Sequence, residues 1–447
     1  MTVSVAVRPR VAPHAAASLP TVYLIGLLGW LLTRLLVLVH QGAWPWMNAF
    51  VVAAARGIIV GDWNDAVRPQ LPAVLGVPLV LAGATEQQTV AALYVVASLI
   101  QFGAFLVLVR ALFPARSEAQ ALALLVFLLV PFNHSIHHYR DVPVVLASSA
   151  VFLLAAEFVS ASRSLGSFSR SSGSAAAGAA VASRSVSITL TVRSVLAIFA
   201  AMWLGVWSRT EVLTFVGALI VLALLVWRTA ALKLALTYAV AAIVVSATLL
   251  LVFRLEGVDL SEASLYQAHT FLDSTPDSWL TLDCRANPTE NCREADGLLY
   301  FGPADLHAGV LPLIINHPVT TVAKTLRSAA DNLWILFGPN LSTFPGVVPF
   351  LVLAVALASS ARAALKLVPL PVWLVCIAVL AETVLPPLSW APPHPQYHLQ
   401  LVLPIVAVAV PILLGLARQP RGRLVALAFL IGNAGLSAVR YTRYPGY

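Results

Sequence analysis

The sequence predicts an all-α fold: a polytopic transmembrane helix bundle of about eleven spans, with extracytoplasmic interfacial helices and one long extracytoplasmic loop. Two observations support this prediction. Of the 447 residues, 60% are hydrophobic and only 10% are charged, well below the roughly 25% charged residues of globular domains. Hydrophobic blocks of roughly 17 to 25 residues recur along nearly the whole chain. They suit helices that cross a hydrocarbon core about 30 Å thick, rather than short alternating barrel strands.

The charge balance indicates membrane topology rather than a nucleic-acid partner. The net charge is +8, but the arginines gather in short segments between hydrophobic blocks, where they orient membrane spans. We therefore expect no nucleic-acid binding. Three lysines stand against 24 arginines, which together with abundant Ala, Val and Leu indicates a GC-rich bacterial genome. The predicted location is the bacterial plasma membrane, crossed many times.

Arginine positions also predict the order of the modules. Arg8 and Arg10 place residues 1–20 in the cytoplasm as an N-terminal tail, so the first span runs outward. Residues 21–253 form an N-terminal transmembrane module, residues 254–345 a long extracytoplasmic loop, and residues 346–447 a C-terminal transmembrane module. The predicted spans are about Thr21–Val39, Thr89–Phe113, Ala119–Phe132, Val142–Val159, Val195–Trp207, Val212–Trp227, Leu234–Phe253, Val347–Leu357, Pro369–Leu385, Leu399–Leu416 and Leu424–Leu436.

The loop after the first span, Gln41 to Pro78, is predicted to lie outside the cytoplasm. Prolines break it into short pieces, and Asn48 to Gly61 is predicted to form a helix along the membrane interface. The second half of the loop holds polar and charged side chains at the lipid boundary: Asp62, Asn64, Asp65 and Arg68. Such a cluster favours a binding or catalytic role.

Two further segments differ from the spans in composition. Residues 160–193 are rich in Ser, Ala, Gly and Arg, which predicts a flexible cytoplasmic linker. The long loop at 254–345 contains Cys284 and Cys292, and a disulfide between them requires an oxidising compartment. Span counting independently places this loop outside. Its last third, Pro318 to Phe337, is predicted to be an amphipathic helix against the membrane, with Lys324, Arg327 and Asp331 on its polar side.

The polar clusters, apart from the Ser-rich linker, all fall on the predicted extracytoplasmic side. Arg34 lies deep in the first span, where facing lipid costs about 3 kcal/mol, so we expect it to face the bundle. Asp141 beside Arg140 is either an active-site acid or a paired structural cap.

Two more polar segments remain as candidates on this side. Arg209 and Glu211 form a polar joint between two spans that a simple helical hairpin would not require. His394 and His398 are candidate contacts for an anion. His134, His137 and His138 lack a compact metal-binding motif, so no metal site is predicted.

The order of these motifs resembles the GT-C class of membrane glycosyltransferases, especially bacterial proteins related to protein O-mannosyltransferases and aminoarabinose transferases. The matching elements, in chain order, are Arg34 in the first span, Gly61-Asp62-Trp63, Arg68-Pro69-Gln70-Leu71-Pro72, Asp141-Val142-Pro143, the GVWSRTEVL segment at 205–213, and Pro395-Gln396-Tyr397-His398 followed by LQLVLP. The resemblance covers nearly the whole membrane part.

The resemblance implies transfer of a sugar from a polyprenyl-phosphate donor to a glycan, lipid or protein acceptor, with inversion. Asp62, Asp65 and Asp141 are then the candidate catalytic acids. Candidate substrate-binding residues are Arg34, Arg68, Arg140, Arg209, Glu211, His394 and His398. Membrane lipids are expected partners. No cofactor is expected, and a divalent metal is left open.

One departure from the family pattern keeps a second interpretation open. The family has an acidic residue at the start of the interfacial helix, and this chain has Met47 and Asn48 at that position. Either the base has moved to Asp62 or Asp65, or the chain is a non-catalytic subunit that binds lipid, glycan or a partner protein. A transporter is a weaker alternative, because no paired Gly/Pro interruptions mark broken helices.

Overall fold

A computed structural model describes residues 19–41, 45–62, 70–114, 116–129, 141–171, 190–258, 268, 271–272, 275–287, 290–301, 310–337, 354–384 and 399–443. These residues form helices and turns, with no strand among them, which confirms the all-α prediction for this part of the chain. The helices are α1 (Leu19–Gln41), α2 (Pro45–Val60), α3 (Gln70–Leu81), α4 (Glu86–Leu112), α5 (Ser117–Leu129), α6 (Asp141–Ser171), α7 (Val192–Val206), α8 (Val212–Trp227), α9 (Leu232–Leu255), α10 (Leu282–Ala286), α11 (Glu290–Phe301), α12 (Val310–Asn316), α13 (Pro318–Phe337), α14 (Ser359–Leu365), α15 (Leu370–Val384), α16 (Val402–Ala417) and α17 (Pro420–Arg443).

Four helical segments among the described residues are long and apolar enough to cross a membrane. They are Glu86–Leu112, Val142–Arg163, Val212–Leu255 and Leu399–Ala417. Helices α14 and α15 meet at a 90° bend, and counting them as one span raises the number to five. Other apolar helices, such as Ser117–Leu129 and Val192–Val206, are shorter than 18 residues. The predicted count of eleven spans is not confirmed.

The segment Val212–Leu255 is divided in the middle. A 3₁₀ turn at Arg228–Ala231 separates α8 from α9, and Arg228 has a φ of 47°, which a straight helix does not contain. Helices α8 and α9 also pack against one another. Because residues on either side of this turn are too far apart in sequence to touch within a straight helix, the chain turns back here.

The outer surface of the bundle is apolar, as a membrane environment requires. Ile25 is 63% exposed, Leu225 72%, Ile243 67% and Ile431 63%. Contiguous exposed apolar surface of this kind is unfavourable in water and suits contact with lipid or another protein. It supports the multi-pass membrane prediction.

The interior is held by aromatic packing and a few buried hydrogen bonds. The Trp30 indole donates to the Ser98 carbonyl at 2.9 Å, which fixes α1 on α4. The Gln101 side-chain amide donates to Ser148 Oγ at 2.9 Å, which links α4 to α6. Phe105 stacks on Phe127 with ring centroids 4.0 Å apart. Pairing these polar groups matters because a buried donor without a partner costs free energy.

The opening segment is partly described. Helix α2 covers Pro45–Val60, close to the predicted Asn48–Gly61, and packs against α3 and α4. It ends where the Asp62 backbone N–H donates to the Gly57 carbonyl at 2.8 Å. Gly61 has a φ of 81°, a left-handed conformation that glycine adopts at low cost.

Two sequence predictions need correction. Helix α6 continues to Ser171, so the first part of the predicted flexible linker 160–193 is helical. The predicted loop 254–345 contains helix α13, which confirms the predicted helix at Pro318–Phe337, but it also contains helices α10 to α12 and a small core with Phe271, Phe301 and Leu313 buried. We call this part, residues 268–337 as described, the helical insert. Lys324 lies fully buried within it rather than on a solvated polar side, whereas Arg327 is exposed.

Candidate functional site

The described charges divide between two ends of the bundle. At one end the residues are almost all basic: Arg110, Arg116, Arg163, Arg228, Lys233, Arg362, Lys366, Arg418, Arg421 and Arg423. Contacts across this basic end include the Arg163 guanidinium donating to the Ala111 carbonyl. Phe158 and Trp227 also meet there, with ring centroids 6.0 Å apart. The opposite end holds the Arg56–Glu86 ion pair (3.4 Å), the α7–α8 turn and the end of α15.

The α7–α8 turn presents an internal ion pair at this opposite end. The Gly205 carbonyl accepts from the backbone N–H groups of Ser208 (3.0 Å) and Arg209 (2.7 Å), which tightens the turn. Arg209 then donates to Glu211 Oε1 through Nε at 3.2 Å and Nη2 at 2.5 Å. Burial raises the pKa of the Glu211 carboxyl, but the Arg209 charge and its hydrogen bonds outweigh this effect, so the pKa lies below its ordinary value. Glu211 is therefore ionised at neutral pH.

A second carboxyl group joins this turn from α15. Glu382 is only 6% exposed and lies within electrostatic range of both Arg209 and Glu211. The side chain of Gln400, which precedes α16 and is also 6% exposed, hydrogen-bonds the Glu382 carboxyl group. Among the described residues, Glu382 Oε2 has no hydrogen-bond partner. We call Arg209, Glu211, Glu382 and Gln400 the Arg209 cluster.

The opening segment is tied directly to this cluster. The Leu71 backbone N–H, at the start of α3, donates to the Trp207 carbonyl at 3.0 Å. The indole Nε1 of Trp207 and the hydroxyl of Ser208 are buried and have no hydrogen-bond partner among the described residues. Helix α3 also contacts α6, which begins at Asp141. The backbone thus brings the ends of α3, α7, α8 and α15 together at one point.

The cluster's composition suits a hydroxylated ligand. Two carboxyl groups share one guanidinium, so Arg209 is already neutralised by Glu211 and the buried Glu382 oxygen remains available. Buried polar atoms of this kind are normally satisfied by a partner. A carboxylate within reach of a hydroxyl can accept its proton or its hydrogen bond. The arrangement is therefore able to orient an alcohol through hydrogen bonds.

The predicted site residues fall in different places. Arg34 is 1% exposed, stacks over Trp30 with 3.8 Å from Cζ to the ring centroid, and donates to the Tyr94 hydroxyl at 3.0 Å. It belongs to the α1–α4 seam, as expected for an arginine that faces the bundle. Asp62 is exposed at the end of α2. Asp141 begins α6, but its side chain lies outside the described residues, as do Asp65, Arg68, Arg140, His394 and His398.

The helical insert contains a disulfide between Cys284 and Cys292. Their sulfur atoms and a carboxylate oxygen of Asp296 lie within 4.8 Å of one another, a spacing that could hold a metal ion. Thiolates are the form that binds metals, and the disulfide removes both. Asp296 also accepts a hydrogen bond from the Thr281 backbone N–H at 2.7 Å. This group is therefore a structural feature of the insert.

Sequence reasoning missed Glu382 and Gln400. The available signal for Glu382 was a single acidic residue inside the predicted span Pro369–Leu385, since ionisable residues in spans mark functional positions. Gln400 offered no comparable signal, because its role follows from the packing of α15 against α16.

No protein-family model, no curated protein and no solved structure matches this chain. The proposed function therefore rests on the geometry of the site, together with the resemblance in motif order.

Proposed function

We propose that this protein is a membrane glycosyltransferase that moves a sugar from a polyprenyl-phosphate donor to an extracytoplasmic glycan, lipid or protein acceptor, with inversion. The observation behind the proposal is the Arg209 cluster at one end of an apolar bundle, in which the half-buried Arg209–Glu211 ion pair lies near the buried Glu382 and Gln400 side chains. Enzymes that handle a membrane-borne donor need a polar site of this kind at the membrane boundary.

The distribution of charge supports the proposed orientation. Basic residues concentrate on the cytoplasmic side of membrane proteins, and the basic end lies opposite the Arg209 cluster. We therefore propose that the cluster faces the extracytoplasmic side of a bacterial plasma membrane, within the eleven-span topology that the sequence predicts. The disulfide of the helical insert supports the same orientation, because disulfides persist in oxidising compartments.

The proposed reaction needs one base and one counter-charge. The acceptor hydroxyl oxygen attacks the anomeric carbon of the sugar and forms the new glycosidic bond, while its proton passes to a carboxylate. The bond between that carbon and the phosphate oxygen breaks, and its electron pair leaves with polyprenyl phosphate. Correct placement of both substrates contributes much of the rate.

Glu382 adds a candidate base to those that the resemblance supplies. Met47 and Asn48 offer no acid at the family's usual position, and Asp62 is exposed at the end of α2. Glu382 by contrast is buried beside the turn that the opening segment contacts, with one oxygen unpartnered among the described residues. We therefore add it to Asp62, Asp65 and Asp141 as an acid to be tested.

The test measures transfer from radiolabelled polyprenyl-phosphate sugars in membranes that contain the full chain. The wild type should transfer label, and at least one of Asp62→Asn, Asp65→Asn, Asp141→Asn or Glu382→Gln should abolish transfer while the protein is still produced and folded. Glu256→Gln is the matched control, because Glu256 is an exposed acid after α9 on the same side of the bundle. It should leave transfer unchanged.

The second candidate is a non-catalytic member of the same fold that binds lipid, glycan or a partner protein. It is favoured by Met47 and Asn48 at the family's acidic position, and by the commitment of Glu211 to an ion pair. If the wild type transfers label from no donor but still binds the unlabelled donor, this second function replaces the first.

A further inference from the structure

Helix α13 of the helical insert exposes an apolar face and buries the polar side chains of Lys324 and Ser328, although Arg327 is exposed. Val319 is 81% exposed, Val322 57% and Leu326 65%. These three residues lie on one helical face because they are spaced by three and four positions. Thr321, Lys324 and Ser328 have the same spacing on the opposite face. An ordinary amphipathic helix on a water-facing surface has the reverse arrangement.

The exposed face therefore suits lipid, and the neighbouring helix continues it. In α12, Leu311 is 63% exposed and Ile315 is 65% exposed. An apolar strip that lies in the membrane interface is stabilised by burial among lipid chains. This explains how α13 can turn its polar side chains inward.

The inward face combines one cation with two hydroxyl groups. Lys324 is fully buried, and its Nζ lies 3.7 Å from the ring centroid of Phe271. Ser328 is 8% exposed, and its Oγ is buried without a hydrogen-bond partner among the described residues. The hydroxyl of Thr321 is likewise buried and unpartnered there. Buried hydroxyls without a partner among the described residues, on the same helical face as a buried ammonium, favour an anionic, oxygen-rich ligand.

The Arg209 cluster by itself is poorly suited to bind the donor phosphate, so the proposed reaction needs a separate cationic subsite. The Arg209 guanidinium is already paired with the Glu211 carboxylate, so a phosphate there would meet no uncompensated positive charge. Helix α13 packs against α15, the helix that ends beside the cluster with Glu382. Helix α13 therefore lies against the helix that carries Glu382.

We propose that the inward face of α13, formed by Thr321, Lys324 and Ser328, binds the phosphate of a membrane lipid phosphate, while the outward face contacts the bilayer that holds its hydrocarbon chain. This inference rests on the proposed function in one respect, namely that the lipid phosphate is the polyprenyl carrier. The chemistry that the site recognises is that of a phosphate group, whether it belongs to a lipid or is free.

The binding test uses dodecyl phosphate and the purified full-length protein in a non-ionic detergent, titrated in a calorimeter. Lys324→Met should weaken binding about tenfold to a hundredfold, because it removes a charge-assisted contact. Ser328→Ala should weaken it about threefold to tenfold. Arg327→Met, an exposed cation on the same helix, should bind as the wild type does. Wild-type affinity in Lys324→Met would overturn the site.

A second arm distinguishes the source of the phosphate. Inorganic phosphate should bind at least about tenfold more weakly than dodecyl phosphate, since it gains nothing from the bilayer-facing apolar strip. Equal affinity for both probes would overturn the assignment to a lipid. Folding of Lys324→Met is checked by its melting temperature, which should rise.

Transfer assays separate this inference from the proposed function. If Lys324→Met loses dodecyl phosphate binding and the wild type transfers no sugar from any donor, the phosphate site stands and the transferase does not. If Lys324→Met transfers sugar with an unchanged KM for the donor, the transferase stands and the phosphate site is wrong.

Discussion

Replacing Lys324 by methionine should stabilise the helical insert, and by an amount that depends on pH. Burial lowers the pKa of the Lys324 ammonium from its ordinary 10.5 to about 7, because the charged form is removed from water. The unfolded chain therefore binds a proton that the folded chain releases between these values. Stability then rises with pH through this window, since the unfolded state binds more protons.

The magnitude follows from the same two values. At pH 7 the lysine costs about 4 kcal/mol of stability, and at pH 9 about 2 kcal/mol. Methionine has a similar length and no charge, but it loses the contact of Nζ with the Phe271 ring, worth about 1 kcal/mol. Lys324→Met should therefore stabilise the insert by about 3 kcal/mol at pH 7 and by about 1 kcal/mol at pH 9.

Amide hydrogen exchange along α13 measures this effect locally, because exchange reports the opening of one structural unit. At pH 7 the α13 amides of Lys324→Met should exchange about a hundredfold more slowly than those of the wild type, and the difference should shrink at pH 9. Arg327→Met is the control and should change protection little. Faster exchange in Lys324→Met, or a gain independent of pH, would refute the reasoning.

Three further predictions concern the bundle and the insert. Gly205→Ala should lower the free energy of unfolding by about 1 to 3 kcal/mol, because the new Cβ would lie 2.9 Å from Val212 Cγ1 and 3.0 Å from Ala150 Cβ. Gly217→Ala is the control: its Cβ would have no described residue outside its own helix within 4 Å, so it should melt at the same temperature as the wild type. Cys284→Ser should destabilise the insert by about 2.5 kcal/mol, measured as faster amide hydrogen exchange of residues 282–301. A reductant should cause the same loss of stability in the wild type and no further loss in the variant. Amide protection in the variant equal to that of the wild type would contradict the prediction. Tyr94→Phe should lower the free energy of unfolding in detergent by about 1 to 3 kcal/mol, because Arg34 Nη1 loses the hydroxyl that accepts its hydrogen bond at 3.0 Å. The control is Tyr300→Phe, whose exposed hydroxyl donates to the Trp279 carbonyl. A loss in Tyr94→Phe no larger than in this control would contradict the prediction that the buried hydrogen bond stabilises the bundle.

The fold class could be predicted because composition and block length determine it. In an apolar segment of membrane length, a helix satisfies all backbone hydrogen bonds within the segment. Helices α4 and α6 and the α8–α9 segment accordingly correspond closely to predicted spans. Polar composition was a poorer guide in the predicted loop 254–345, which folds into short helices around Phe271 and Phe301. Low complexity likewise did not prevent α6 from continuing to Ser171.

The candidate site was only partly predictable. Arg209 and Glu211 were identified because two charges stand between apolar spans, and adjacency in sequence was enough. Glu382 reaches them through the packing of α15 on α8, which no local pattern encodes. The orientation of α13 was missed for a related reason: helical spacing separates Lys324 from Val322 and Leu326, but it does not say which face meets lipid and which meets protein.

The most direct test of the account is the rate of sugar transfer from a polyprenyl-phosphate donor in the wild type and in Glu382→Gln, both purified and folded. The wild type should show measurable transfer, Glu382→Gln should lose about a hundredfold or more, and Glu256→Gln should be unchanged. Absence of transfer in the wild type from every donor tried would contradict the proposed activity. Full activity in Glu382→Gln would contradict a role for Glu382 as the base and leave Asp62, Asp65 and Asp141 as the candidates.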